Sequence, residues 1–193
     1  MGARSAHSVA GRPDRETERV SARVSVLMGV RDTPWLRGAL ESLRWQTYRD
    51  FEVIIVDDES DDITLLCLEE AQVALAATGL GVVIIHNRIS EGLTRALIDA
   101  AMAASGEFLA RLDADDTAWP ERLARQVAFL DRHPEVGVLG TWGAMMDEQG
   151  RPLGAFRPPA AHERIVEERS YSGENGQDSA VLRVGHQEAA VRA

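Results

Sequence analysis

Gly106-Glu107-Phe108-Leu109-Ala110-Arg111-Leu112-Asp113-Ala114-Asp115-Asp116-Thr117 is the stretch that decides how this chain is read. Phe108 to Leu112 is a short apolar run, the pattern of a buried strand. It ends abruptly in acids at Asp113, Asp115 and Asp116, and Trp119-Pro120 closes the loop ahead of a helical pattern that begins at Glu121. Packing does not explain acids crowded at a strand end, because their repulsion is unfavourable unless water or a cation relieves it. Two acids spaced D-x-D, Asp113 and Asp115, suit a hard divalent metal. Mg²⁺ and Mn²⁺ take oxygen ligands and share them with substrate phosphates. A solvated acidic turn capping the next helix is the other reading of the same residues.

The flanking chain repeats the motif of strand, polar end and helix. Val24 to Val30 reads as a strand bounded by Arg31-Asp32-Thr33-Pro34, with Pro34 suited to a first helical turn. Leu36, Leu40 and Leu43 then mark an amphipathic helix ending near Trp45. Glu52 to Val56 is a second buried strand, ending in Asp57-Asp58-Glu59-Ser60-Asp61-Asp62. A helix over Ile63 to Ala77 follows, punctuated by Gly79 and Gly81. Val82 to His86 is a third strand. Leu93, Leu97, Ala100 and Ala104 give a helix face closed by Gly106, and Leu123, Val127 and Leu130 mark the helix after the acidic loop. Val136 to Thr141 reads as a fifth strand, after which Gly150, Pro152, Gly154, Pro158 and Pro159 break the pattern. Continuous apolar strands alternating with helices predict a mostly parallel sheet covered on both faces. Ligands of such sheets sit beyond the carboxyl ends of the strands, near a switch in strand order.

Composition narrows the function. A net charge of −10 argues against nucleic acid as the main partner, since phosphate neutralisation needs a basic face. Every fixed cation is Arg, so mechanisms that need a lysine are excluded. No G-x-G-x-x-G follows the first strand and no G-x-x-x-x-G-K-[ST] occurs, so a bound diphosphate would lack a glycine cradle. A metal held by the acids is the substitute, because carboxylates alone would repel it. The lone Cys67 lies in an apolar helical pattern and reads as a small core residue. No apolar run is long enough to span a membrane. Residues 1–22 read as a flexible tail without a secretory h-region, 23–154 as the main domain, and 155–193 as an incomplete or divergent C-terminal segment.

Val24 to Val30, Gln46 to Ser60, Gly106 to Asp116 and Pro120-Glu121-Arg122-Leu123 through His133-Pro134-Glu135-Val136-Gly137-Val138-Leu139-Gly140, in this order, resemble the family 2 glycosyltransferases. The resemblance covers roughly Val24 to Gly150. It implies an α/β chain of GT-A (Rossmann-like) fold, a mostly parallel sheet flanked by helices on both faces, and a role in cell-envelope polysaccharide biosynthesis. It implies a nucleotide-sugar donor, UDP-sugar favoured, and a saccharide or lipid-linked acceptor. A cytoplasmic protein is expected, with peripheral membrane association allowed. In the family the Asp pair matching Asp57 and Asp58 contacts the base, commonly uracil. Val30, Asp32 and Arg95 fall in the same donor nucleotide site. The D-x-D matching Asp113 and Asp115 touches the ribose, at Asp113, and holds Mn²⁺ or Mg²⁺ on the diphosphate. A carboxylate base comes from the later half of the domain in inverting members. This chain departs from the family where Asp32, Ser90-Glu91-Gly92 and Ile98 replace frequent asparagines. Its Tyr171 to Asp178 poorly matches the acidic motif that supplies the base, so the catalytic base is not assigned.

Other residues have structural readings beside functional ones. Arg95 is a surface arginine or a diphosphate contact, and Arg111 an ion-pair partner of the neighbouring acids. His162 and His186 are candidates for a third metal ligand, although lone histidines are usually not ligands. Trp35, Trp45, Trp119 and Trp142 read as packing residues. Asp113-x-Asp115-x-Thr117 also fits a phosphatase nucleophile loop, but that loop normally follows the first strand and needs a later cation, often Lys. A nucleotide-sugar-binding remnant without its acceptor half is the non-enzyme alternative. Ser170 to Ala193, rich in Gly, Ser and Gln, is expected to pack poorly and to supply no base.

Overall fold

The computed structural model describes residues 22–157 and 180–183. Its elements in order are β1 (Val24–Val30), α1 (Leu36–Arg44), β2 (Phe51–Asp58), α2 (Asp62–Ala76), β3 (Gly81–Asn87), α3 (Leu93–Ala103), β4 (Phe108–Arg111), α4 (Arg122–Arg132), β5 (Val138–Gly140), β6 (Gly143–Met146), β7 (Pro152–Phe156) and β8 (Ala180–Arg183). The main sheet runs β3-β2-β1-β4-β8-β5. β1 pairs in parallel with β2 and β4, and β2 with β3. The chain thus winds outward from β1 to β3, then α3 carries it back to β4 on the other side of β1. That reversal puts the switch point between β1 and β4.

Side chains alternate across the strands, so each strand feeds two cores. Val24, Val26, Met28 and Val30 of β1 and Val53 and Ile55 of β2 pack with Leu36, Leu40 and Leu43 of α1, Leu68 and Leu75 of α2, and Leu123, Val127 and Leu130 of α4. Leu27, Ile54, Val56 and Leu109 pack on the other face against Ala96 and Ala100 of α3. Leu93 differs from the expected helix face: it is 48% exposed, and the alanines let α3 lie close to the sheet. At the amino end of the sheet a polar knot ties β1 and β2 to the turn that leads into β4. The Oε1 of Glu52 accepts from Ser25 Oγ at 2.6 Å and from the N and Oγ of Ser105 at 2.8 Å, while Ser25 Oγ accepts from Gly106 N at 2.9 Å. Gly106 is required by close approach: a Cβ there would stand 2.7 Å from Ser25 N and 2.9 Å from Val24 C.

Three further expectations are corrected. Pro152 and Gly154 do not end the structure but lie in β7, which pairs antiparallel with β6. The hairpin forms because Asp147 Oδ1 accepts from Gln149 N and Arg151 N and Gly150 turns the chain at φ 75°. Second, the C-terminal segment is not uniformly poorly packed: β8 lies between β4 and β5, antiparallel to both, and Val181 is buried in the larger core. One apolar pair in a polar context is too short to show periodicity, yet the open edge of β4 supplies its hydrogen-bond partners. The rest of Ser170 to Ala193, with Tyr171 to Asp178, lies outside the described residues. Third, Trp35, Trp45, Trp119 and Trp142 are exposed rather than packed, because loops and helix ends carry them past the cores; Trp142 has Arg157 over its ring at 4.7 Å. Cys67 is half-buried beside the larger core as a free thiol, and burial raises its pKa.

Candidate nucleotide-sugar site

The parallel pairing brings the polar strand ends to one edge. Val30 pairs with Asp57 in the β1–β2 ladder, so Val30, Asp32, Asp57 and Asp58 are neighbours. β4 lies on the other side of β1, its ladder ending at Leu27–Arg111, and Leu112 N continues to Leu27 O at 3.1 Å before the chain enters Asp113 to Asp116. Val30 buries its side chain in the core, so its accessible chemistry is that of its backbone. Asp32 is exposed in a left-handed conformation, φ 41°, which Asp tolerates better than most residues, and its Oδ1 accepts from Asp61 N at 2.7 Å. Asp61 in turn caps α2 through Thr64 N. Asp32 thereby ties the loop after β1 to the start of α2.

Asp57 and Asp58 are buried at the end of β2 and face opposite sides of the sheet. Asp57 Oδ1 accepts from Ser60 N at 3.0 Å, and its Oδ2 lies 3.0 Å from His86 Nδ1. Asp58 holds the loop between β3 and α3. Its Oδ1 accepts from Asn87 Nδ2 and Glu91 N, its Oδ2 from Ser90 Oγ and Gly92 N, at 2.7 to 3.1 Å. Burial alone would raise its pKa, but these four donors more than offset that and hold the carboxyl well below its usual range. Arg31 donates to Ser90 Oγ and Glu59 accepts from Ser90 N, so the same loop is fixed from both sides. Gly92 enters α3 at φ 86°, a conformation that suits glycine. Arg95 is half-exposed and pairs with Asp99 at 2.9 Å and Glu91 at 3.4 Å along α3. Its position there is that of a helix-surface arginine.

The acidic loop after β4 is built on two arginines. Arg111 embraces Asp113 with Nε to Oδ1 at 2.7 Å and Nη2 to Oδ2 at 2.9 Å, the expected ion pair. Arg122, in the first turn of α4, is buried and donates to Arg111 O at 2.6 Å and to Gln126 Oε1 at 3.2 Å. Burial pushes its pKa down to about 10 against the pull of Asp116 and Asp113. Asp116 shifts upward through burial, then through Asp115 and Asp113, with Arg122 and Arg111 opposing. The loop therefore carries negative charge that its arginines do not fully neutralise.

Among the described residues no three His, Cys, Asp or Glu side chains converge as a cation cage. The donor set still suits Mg²⁺ or Mn²⁺, which bind through one or two carboxylates plus substrate phosphates. Asp115 is exposed to solvent, whereas Asp113 would have to share its oxygens with Arg111. His162 and His186 lie outside the described residues.

Sequence reading missed the residues that hold this loop. Gln46, 2% exposed, donates from Nε2 to Trp119 O at 2.8 Å and accepts at Oε1 from Leu123 N at 3.1 Å. Ser42 Oγ accepts from Ala118 N at 3.0 Å, and Thr47 N donates to Pro120 O at 2.8 Å. The signal available was a polar residue at the end of an otherwise amphipathic helix. Arg122, one residue into a helix just after a run of acids, was equally visible.

The sequence profile described as glycosyl transferase family 2 matches residues 25–178. The chain belongs to glycosyl transferase family 2. EpsE of Bacillus subtilis, whose name places it among the glycosyltransferases, is 34% identical over 66% of this chain and 45% of its own length. AmsE of Erwinia amylovora, an amylovoran biosynthesis glycosyltransferase, is 32% identical over 60% of this chain and 42% of its own. The chain spans about half the length of the curated relatives it matches. Among solved structures, S. aureus TarS 1-349 in complex with UDP-GlcNAc aligns over 60% of this chain and 33% of its own, with TM-score 0.54 and 28% identity. The Pyrobaculum calidifontis mannosyltransferase PcManGT, solved with GDP-Man and Mn²⁺, covers 86% of this chain and 46% of its own with TM-score 0.61 and 24% identity, a likeness of fold. The family is one of GT-A transferases, and the phosphatase reading of Asp113-x-Asp115-x-Thr117 finds no support. No helix among the described residues is long and apolar enough to cross a membrane.

Proposed function

We propose that the chain transfers a sugar from a nucleoside diphosphate donor to an acceptor hydroxyl, with the donor lying across the carboxyl ends of β2, β1 and β4. The observation that carries this is the convergence of Asp57, Asp58 and the Asp113–Asp116 loop on one sheet edge at the β1–β4 switch point. The base and ribose fall over the β2 and β1 ends, and the diphosphate lies toward the loop after β4. Asp58 contributes by fixing the β3–α3 loop that walls the base side, with Val30 offering its backbone and Asp32 holding the neighbouring turn. Asp113, oriented by Arg111, faces the ribose.

Asp115, with Asp113 as far as Arg111 allows, would hold Mg²⁺ or Mn²⁺. A cation there supplies charge neutralisation for the departing nucleoside diphosphate. UDP-sugars are the favoured donors, supported by the UDP-GlcNAc bound to TarS. A role in polysaccharide synthesis is supported by the name of AmsE, an amylovoran biosynthesis glycosyltransferase, and a saccharide acceptor would go with such a role. Arg95, engaged by Asp99, stands outside this proposal.

Calorimetry of UDP binding with and without Mn²⁺ tests the site. Asp115→Ala should abolish the Mn²⁺-dependent part of binding, and Asp113→Ala should weaken binding more mildly. Wild-type affinity that ignores chelator would refute the metal assignment. A protein that binds donor without ever turning over any acceptor would favour the binding-remnant reading.

A further inference from the structure

We propose that His86 reads the base of the donor, favouring nucleobases that present a ring N–H (uracil, thymine, guanine) over cytosine. This rests on the donor-site reading above and names the residue that would give it base specificity. Asp58 is 4% exposed and each of its oxygens already takes two donors, so it has little capacity left for a base. Asp57 is 3% exposed and already engages Ser60 N and His86, which leaves it little surface to present.

His86 is placed differently. It lies directly opposite Asp57 in the β2–β3 ladder, one residue before the end of β3, and its side chain is 56% exposed. The Asp57 carboxylate can only accept, so the ring nitrogen facing it, Nδ1, carries the proton. In the neutral ring Nε2 is then an acceptor. Asp57 thus fixes both the tautomer and the orientation of an exposed imidazole at the edge where the base would lie. The N3–H of uracil or thymine and the N1–H of guanine can donate to Nε2. The N3 of cytosine is itself an acceptor, so the two lone pairs would oppose each other.

The test is calorimetry of the whole chain with UDP, GDP and CDP at neutral pH with Mn²⁺. UDP and GDP should bind at least about tenfold more tightly than CDP, the ratio expected for one well-made polar contact against a mismatched one. His86→Leu should weaken UDP about tenfold and leave CDP unchanged, removing the preference. His86→Gln, which keeps an N–H for Asp57 and an acceptor oxygen, should retain part of it. Melting of each variant without nucleotide checks that the fold is intact. Equal wild-type affinity for UDP and CDP, or a His86→Leu variant that weakens both in parallel, overturns the role of His86 and leaves the donor site standing. Failure of the wild type to bind any of the three overturns the donor site and this inference together.

Discussion

Asp58→Ala removes one side chain and strands four donors. Asn87 Nδ2, Ser90 Oγ, Glu91 N and Gly92 N all end on this carboxylate, at 3.1, 2.7, 2.9 and 2.8 Å. A hydrogen bond to a charged acceptor contributes about 1.5–3 kcal/mol, but the four share one loop and cannot simply be added. Glu91 and Gly92 are exposed, so their amides regain water when the carboxylate goes; Asn87 and Ser90 are half-buried and regain less. The expected loss at neutral pH is about 2–4 kcal/mol. Urea unfolding followed by tryptophan fluorescence measures it. The sign of the pH dependence is fixed by the depressed carboxyl. Its contribution is complete above the unfolded-state value, about 4, and drains as pH falls toward the lower folded-state value. Wild type and variant should therefore draw together in stability as pH is lowered from 4 to 2. Equal stability at pH 7, or a gap that does not narrow in acid, would refute the view that Asp58 is chiefly the anchor of the β3–α3 loop.

Three further outcomes are expected. Asp116→Asn should stabilise the protein by up to about 1 kcal/mol at pH 7, since burial, Asp115 and Asp113 all disfavour its charge; the gain should vanish as pH falls through the raised folded-state value, read by thermal melting. Gly106→Ala should cost about 2–3 kcal/mol in urea unfolding, because the added Cβ meets the backbone of Val24 and Ser25 rather than a side chain that can swing away. Gln46→Leu keeps the volume but leaves Trp119 O and Leu123 N without their partner. It should cost about 1–3 kcal/mol and speed amide exchange at the start of α4.

The parallel half of the fold was legible because β1, β2 and β4 are buried on both faces and so read as unbroken apolar runs, each closed by a polar end. The helices of the larger core were legible for the same reason: Leu36, Leu40 and Leu43, like Leu123, Val127 and Leu130, mark a stripe at helical spacing. β7 was not, because Pro152 and Gly154 are breakers by propensity and the strand depends on Asp147 folding the turn. β8 was not, because four residues carry no period and their place is set by the edge of β4. At the site, acids in the right order could be found, but not their duties. Asp57 and Asp58 are adjacent and chemically identical, and only the pleat sends one to His86 and the other to the β3–α3 loop. The tryptophans misled for a related reason: hydrophobicity says what could be buried, not which loop is carried away from the core.

The position of β8 has a consequence for how the chain is made. β4 is hydrogen-bonded on one side to β1 and on the other to β8, so Phe108 must wait for Arg183, and Val138 for Leu182. On the ribosome β1 to β4 can assemble as soon as α3 has crossed back, while β4 keeps one open edge until the late strand emerges. Contacts so distant in sequence close slowly. During that interval the exposed backbone of β4 can take up any extended segment, a neighbouring nascent chain included. Ending synthesis before Ala180 would make that open edge permanent, with Leu109 and Ala110 lacking their partners, and would turn the half-sheet into a template for aggregation.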